Sequence, residues 1–154
     1  MCVIGPVFED SAWIADATWP KRPFKSLDLL HGALCKTVQT STEAKQIDLI
    51  RAHPDLAGRA AQTGTLTAAS TSEQASAGLN KLSDKEIAHF QKSNQKYRDK
   101  FDFPFVICAR LNKKEAILKG LEARLKHSRK EEIKTALAEI EKIAYLRLQD
   151  MIEG

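Results

Sequence analysis

Glycine and proline are scarce in this chain, with 7 and 5 among 154 residues, and no stretch alternates apolar with polar side chains as a half-buried strand would. A sheet-rich architecture with many tight turns is thereby excluded. Cysteine is scarcer still. Cys2, Cys35 and Cys108 are odd in number and lack a C-x-x-C spacing, which excludes a disulfide framework and a thiolate zinc site and fits a reducing compartment. No run approaches the ~18 consecutive apolar residues of a membrane span. Met1 to Val7 is too short and uncharged for a signal peptide, and Ile152-Glu153-Gly154 carries no peroxisomal or reticulum address, so the expectation is a soluble, cytoplasmic protein with no membrane partner. The charge excess is also small. Lys and Arg number 24 against 20 Asp and Glu, a net charge of +4, and the basic residues from Lys81 to Arg147 alternate with acidic ones as on a solvated face. No nucleic-acid partner is expected from such a pattern. His31, His53, His89 and His127 show no H-E-x-x-H spacing, and neither a G-x-S-x-G elbow nor a glycine-rich phosphate loop occurs, so no metal and no cofactor are expected.

What the chain has is helix. Its 43% hydrophobic and 29% charged residues suit one ordinary globular domain, and a domain of this size buries roughly 70% of its unfolded surface. Capping-box spacings recur at Thr40 with Glu43, Ser70 with Glu73, Ser83 with Glu86, Asn112 with Glu115 and Ser128 with Glu131. Behind Ser83, the residues Ile87, Phe90, Tyr97 and Phe101 share one helical face, and behind Ser128 so do Ile133, Leu137, Ile140, Ala144 and Met151. Earlier helices are predicted at about Asp10 to Thr18, Ser26 to Val38 and Glu43 to Ala52, with a shorter one opening at Pro54. Gln62 to Thr71 reads as a loop long enough to line a site. The one extended candidate, Phe103-Pro104-Phe105-Val106-Ile107, is too short and isolated for a sheet. The predicted fold is an all-α, single-domain compact helical bundle over 1–154, with a short extended connector near 103–109.

Three places could carry chemistry. Proline disfavours the helical conformation in the residue before it and is welcome at a helix start, so Pro54 leaves His53 at a corner. A corner can aim an imidazole into a cleft, although a histidine there can equally cap or pack. At Ser70-Thr71-Ser72-Glu73-Gln74, hydroxyls, a carboxylate and an amide gather at a helix start and could hold an amide-rich ligand, or Glu73 could simply complete a cap with Ser70. Arg147 lies beside the apolar stripe of Ile140, Ala144 and Met151, where a guanidinium needs either an anion or a route to water.

Taken in order along the chain, these pieces resemble a known family. Phe8-Glu9-Asp10-Ser11 and Trp13 begin the match, and Ala52-His53-Pro54-Asp55-Leu56-Ala57 continues it. Ser70-x-x-Glu73-Gln74-Ala75-x-Ala77-Gly78-Leu79 follows, then Asn94, Tyr97 and Phe101-x-Phe103-Pro104-Phe105-Val106, and finally Ile143-Ala144-x-x-Arg147-Leu148. The family is that of the OHCU decarboxylases of urate degradation, which convert 2-oxo-4-hydroxy-4-carboxy-5-ureidoimidazoline to (S)-allantoin and carbon dioxide.

The resemblance implies an all-helical homodimer without a cofactor, acting on a small ureidoimidazoline, in which His53 handles the catalytic proton. It further implies that Pro54, the segment Ser70, Thr71, Ser72, Glu73 and Gln74, and the backbone of Phe105, Val106, Ile107, Cys108 and Ala109 line the substrate pocket. Glu73 and Arg147 are the other functional side chains that it implies. One position departs from the pattern: Asp102 stands where the family usually has glycine, which suggests that no glycine-only conformation is required there and that the turn changes locally. Competing readings are a helical interaction module that has lost the chemistry and an acid–base enzyme for another ureido or imidazolone compound.

Overall fold

Five of the described helices start where a short polar side chain takes up a backbone N–H that the first turn leaves unbonded. The computed structural model describes residues 8, 13–18, 26–56 and 67–153. Its helices are α1 (Trp13–Thr18), α2 (Leu27–Gln39), α3 (Glu43–Ala52), α4 (Ala68–Ser76), α5 (Asp84–Phe101), α6 (Lys114–Arg124) and α7 (Arg129–Glu153), with one 3-10 turn at Ala109–Leu111. No strand occurs among the described residues, and the fold is all-α as the composition predicts. None of these helices is long and apolar enough to cross a membrane.

Ser26 caps α2 by accepting from the Leu29 N–H at 3.1 Å, and Ser83 with Glu86 forms the full capping box of α5. Ser128 accepts from the Glu131 N–H at 3.2 Å and starts α7. Three other starts differ from the spacing. Thr40 closes α2 instead of opening α3, because its hydroxyl bonds back to the Lys36 carbonyl at 2.8 Å, and Thr42 is the cap. Thr67 rather than Ser70 caps α4, accepting from the Ser70 N–H at 3.2 Å. Residues 68–71 of the expected loop are therefore helical, and Glu73 is released from capping. Asn112 turns its amide to the Cys108 carbonyl at 2.9 Å, so α6 starts at Lys114 behind Lys113, without a side-chain cap. Pro54, Asp55 and Leu56 are not helical. The remainder of the helix expected from Pro54, residues 62–66 of the loop and residues 10–12 of the first helix lie outside the described residues.

The long helix α7 is the spine against which α2, α3 and α5 pack, while α1 lies on α2 and α6 on α5. The core centres on aromatics of α5 and of the connector: Tyr97, Phe101, Phe103 and Phe105 are all fully buried. Their rings meet at 4.5 Å for Tyr97–Phe101 and 5.4 Å, edge to face, for Tyr97–Phe105. Such pairs contribute about 0.5–1.5 kcal/mol each beyond the area they bury. The connector thus sits as an irregular strip threaded between helices, as its apolar sequence predicts.

Asp102 takes a conformation that is not reserved for glycine. It has φ 64° and ψ 29°, the left-handed conformation that ends α5, which glycine favours and which aspartate tolerates better than most residues. Arg51 steadies the strained residue, with Nε donating to the Asp102 carbonyl at 3.0 Å and Nη2 to its carboxylate at 2.6 Å. Asp102→Ala is expected to lower stability by about 1 kcal/mol through the left-handed penalty, and Asp102→Gly by less, measured as urea midpoints. Equal midpoints for the two variants would remove the backbone explanation.

Candidate active site

The helix α3 stops where Pro54 requires. His53 has extended dihedrals, φ −76° and ψ 138°, and its N–H closes the last turn on the Ile50 carbonyl at 3.2 Å. The imidazole is 5% exposed. Its Nδ1 lies 3.0 Å from the Leu49 carbonyl, which can only accept, so Nδ1 carries a proton. Helix end and side-chain anchor together fix the orientation of the imidazole.

The corner after His53 is held from two other helices. The Arg98 Nε of α5 reaches both Asp55 carboxylate oxygens at 3.1 Å, Asn94 donates to the Leu56 carbonyl at 2.9 Å, and Gln74 of α4 donates to the Asp55 carbonyl at 3.4 Å. Backbone groups that Pro54 leaves outside any helix are satisfied in this way by side chains.

Opposite the corner, Arg147 of α7 meets Glu73 of α4 in a two-pronged pair. Nε donates to Oε2 at 2.9 Å and Nη2 to Oε1 at 2.7 Å, with Ser70 Oγ 3.5 Å from Nη2. The two side chains are only 5% and 12% exposed. Parallel N–H···O bonds of this kind fix the plane of the carboxylate as well as its charge. Arg147 therefore does not snorkel to solvent.

The third wall is the connector. The Cys108 N–H donates to Glu139 Oε1 at 3.1 Å, its carbonyl accepts from Asn112, and the Val106 carbonyl accepts from Arg124 at 2.6 Å. Burial pushes the Cys108 thiol above its ordinary pKa, with the Glu139 and Glu73 charges adding to the effect, so the thiol stays protonated and unreactive.

These walls line a half-open cleft. His53, Pro54, Ser70, Glu73, Gln74, Phe105, Val106, Ile107, Ala109 and Arg147 line it, all of them named from the sequence. Thr71, Ser72 and Cys108 do not. Thr71 is exposed and turns its hydroxyl to the Thr67 carbonyl at 2.9 Å, Ser72 faces a separate hollow beside Arg110 and Asp150, and Cys108 points into the core. In a helix, successive residues differ in direction by about 100°, so a contiguous run such as 70–74 cannot all face one cleft. Leu56 and Ile143 line the cleft and were missed; Ile143 lies one helical turn before Arg147, and that spacing could have found it. Among the described residues, no group of three His, Cys, Asp or Glu is arranged to hold a metal ion.

The comparisons with known proteins agree with one another. The family model for OHCU decarboxylase matches residues 1–149. A 2-oxo-4-hydroxy-4-carboxy-5-ureidoimidazoline decarboxylase of Halalkalicoccus jeotgali is 43% identical over 96% of this chain and 82% of its own length. The protein of the same description from Mus musculus is 40% identical over 97% of this chain and 84% of its own. Among solved structures, an OHCU decarboxylase crystallised in the presence of (S)-allantoin superposes with a TM-score of 0.78 over 96% of both chains, at 21% identity, which speaks for the fold alone. An (S)-allantoin synthase matches at 27% identity and a TM-score of 0.77, over 97% of this chain and 48% of that one. With its all-α fold, its matched length and relatives at about 40% identity, the chain belongs to the OHCU decarboxylase family.

Proposed function

We propose that this decarboxylase converts 2-oxo-4-hydroxy-4-carboxy-5-ureidoimidazoline to (S)-allantoin and carbon dioxide in urate degradation, without a cofactor, and that His53 mediates the stereospecific proton transfer. The observation that carries the reading is the meeting in one cleft of His53, the Glu73–Arg147 pair and the connector backbone.

Breaking the carbon–carboxylate bond leaves an electron pair on the ring carbon. The C–N unsaturation and carbonyl of the substrate can delocalise that pair, so the protein need supply only orientation and a proton on one face. A neutral His53 with its lone pair on Nε2 suits withdrawal of the substrate hydroxyl proton, and the resulting imidazolium can return a proton to the carbanion-like centre. Glu73 and Gln74 are assigned to the ureido and ring N–H groups, and the 105–109 main chain to the remaining donors and acceptors. Arg147 is assigned to holding Glu73, because two of its nitrogens already engage both carboxylate oxygens. A guanidinium clamped on the leaving carboxylate would instead stabilise the ground state and slow its loss. A homodimer acting in the cytoplasm forms part of the same proposal.

The test is to generate the unstable substrate in place from urate and to follow carbon dioxide release together with the optical activity of the allantoin. Accelerated release with (S)-allantoin in excess is expected. Racemic product at the spontaneous rate would end the proposal.

A further inference from the structure

Behind the connector, on the side away from the cleft, lies a buried charged cluster that the proposed chemistry does not use. Arg124 of α6 and Glu132 of α7 are 6% and 0% exposed. The Arg124 Nε donates to Glu132 Oε1 at 2.8 Å, and Nη1 donates to the Val106 carbonyl at 2.6 Å. The guanidinium carbon stands 4.4 Å from the centre of the Phe105 ring. The Tyr97 hydroxyl also donates to Glu132 Oε1, and His127 Nδ1 lies 2.8 Å from Oε2. Burial, followed by the bond to Glu132, holds the Tyr97 hydroxyl far above its ordinary pKa, so it remains a donor.

Stability alone does not account for this cluster. A buried ion pair roughly breaks even against well-packed apolar residues, and the third nitrogen of Arg124, Nη2, is buried with no acceptor. What the cluster does accomplish is mechanical. Residues 104–108 lie in neither a helix nor a strand, so no regular ladder fixes their conformation and side-chain anchors must do so. Glu139 and Asn112 hold the far end at Cys108, while Arg124 grips the carbonyl of Val106, in the middle of the stretch Phe105, Val106 and Ile107 that lines the cleft.

We propose that Arg124, oriented by Glu132 and Tyr97, is a positioning residue that sets the shape of the substrate-binding connector from behind. This rests on the reading of the 105–109 segment as a substrate contact.

Arg124→Lys keeps the charge, but a single ammonium cannot span Glu132 and Val106 in the fixed fork of a guanidinium. Tyr97→Phe removes one tether of Glu132 and leaves the ring packing in place. A merely structural role would reduce the fraction of folded enzyme, lowering kcat at unchanged KM. Loss of positioning raises KM and weakens binding of (S)-allantoin. The expected result for Arg124→Lys is a fall in kcat/KM on the order of 10–100-fold, carried mainly by KM; Tyr97→Phe should shift KM the same way by less. Ile117→Val, a core change in the same helix, should leave KM unaltered. If KM and allantoin affinity are unchanged in both Arg124→Lys and Tyr97→Phe, the proposal is overturned, and where the lysine variant does not fold, Tyr97→Phe decides alone. Measured alongside, a His53→Asn enzyme that turns over normally would overturn the active-site reading itself and this inference with it; an inactive one with unchanged KM in the Arg124 and Tyr97 variants would overturn the positioning role only.

Discussion

His53→Asn is expected to lower kcat by ~10²–10⁴-fold, the range that general acid–base help supplies, and to leave KM within a small factor of the parent value. The substitution suits the question because an asparagine amide can replace the Nδ1–H donor to the Leu49 carbonyl, which preserves the corner. What it removes is the lone pair on Nε2. Without a proton delivered to one face, the allantoin formed by the residual reaction should approach a racemate. A variant that keeps both the rate and the (S) excess would show that the proton comes from elsewhere. Folding is not expected to confound the result, since the Pro54 corner is also held by Arg98, Asn94 and Gln74.

The second large effect is expected at Arg147. In Arg147→Met the buried carboxylate of Glu73 loses both of its charge-assisted bonds, and breaking a buried pair by removing one partner costs about 3–5 kcal/mol. Activity should fall as well, because Glu73 is then neither held in plane nor kept facing the substrate. A double-mutant cycle separates the two consequences. Adding Glu73→Gln to Arg147→Met should restore much of the lost stability, since no uncompensated charge remains, yet should restore no turnover. Strictly additive losses in urea unfolding would contradict the pairing, and recovered turnover would contradict the role given to Glu73.

The readable parts of this molecule are those whose signals lie within a few residues of one another. The bounds of α3 follow from the pattern between Glu43 and Ala52 and from Pro54, and the capping box of α5 is contained in Ser83 to Glu86. Where two caps compete, spacing alone misleads. Thr67 and Ser70 stand three residues apart, and the Ser70–Glu73 spacing imitates a box that the earlier threonine pre-empts. The partnership of Glu73 with Arg147 joins residues 74 apart and has no local signature; the sequence offered each as a candidate, and the resemblance to a family put them on one site. Arg124 was invisible for a different reason. Among alternating charges it reads as part of a solvated face, whereas helix packing turns it inward to Glu132 and Val106. No periodicity rule distinguishes a charge that will be buried with a partner from one that will be hydrated.

The distance along the chain between Glu73 and Arg147 also sets a timetable. During synthesis, His53, Glu73 and the connector all leave the ribosome before α7 does, and until that helix docks the carboxylate of Glu73 lacks the Arg147 guanidinium. A nascent or truncated chain lacking α7 would carry the histidine without the pair that faces it across the cleft. On the proposed reading, turnover would begin only once α7 has docked, and a chain lacking that helix is expected to be inactive.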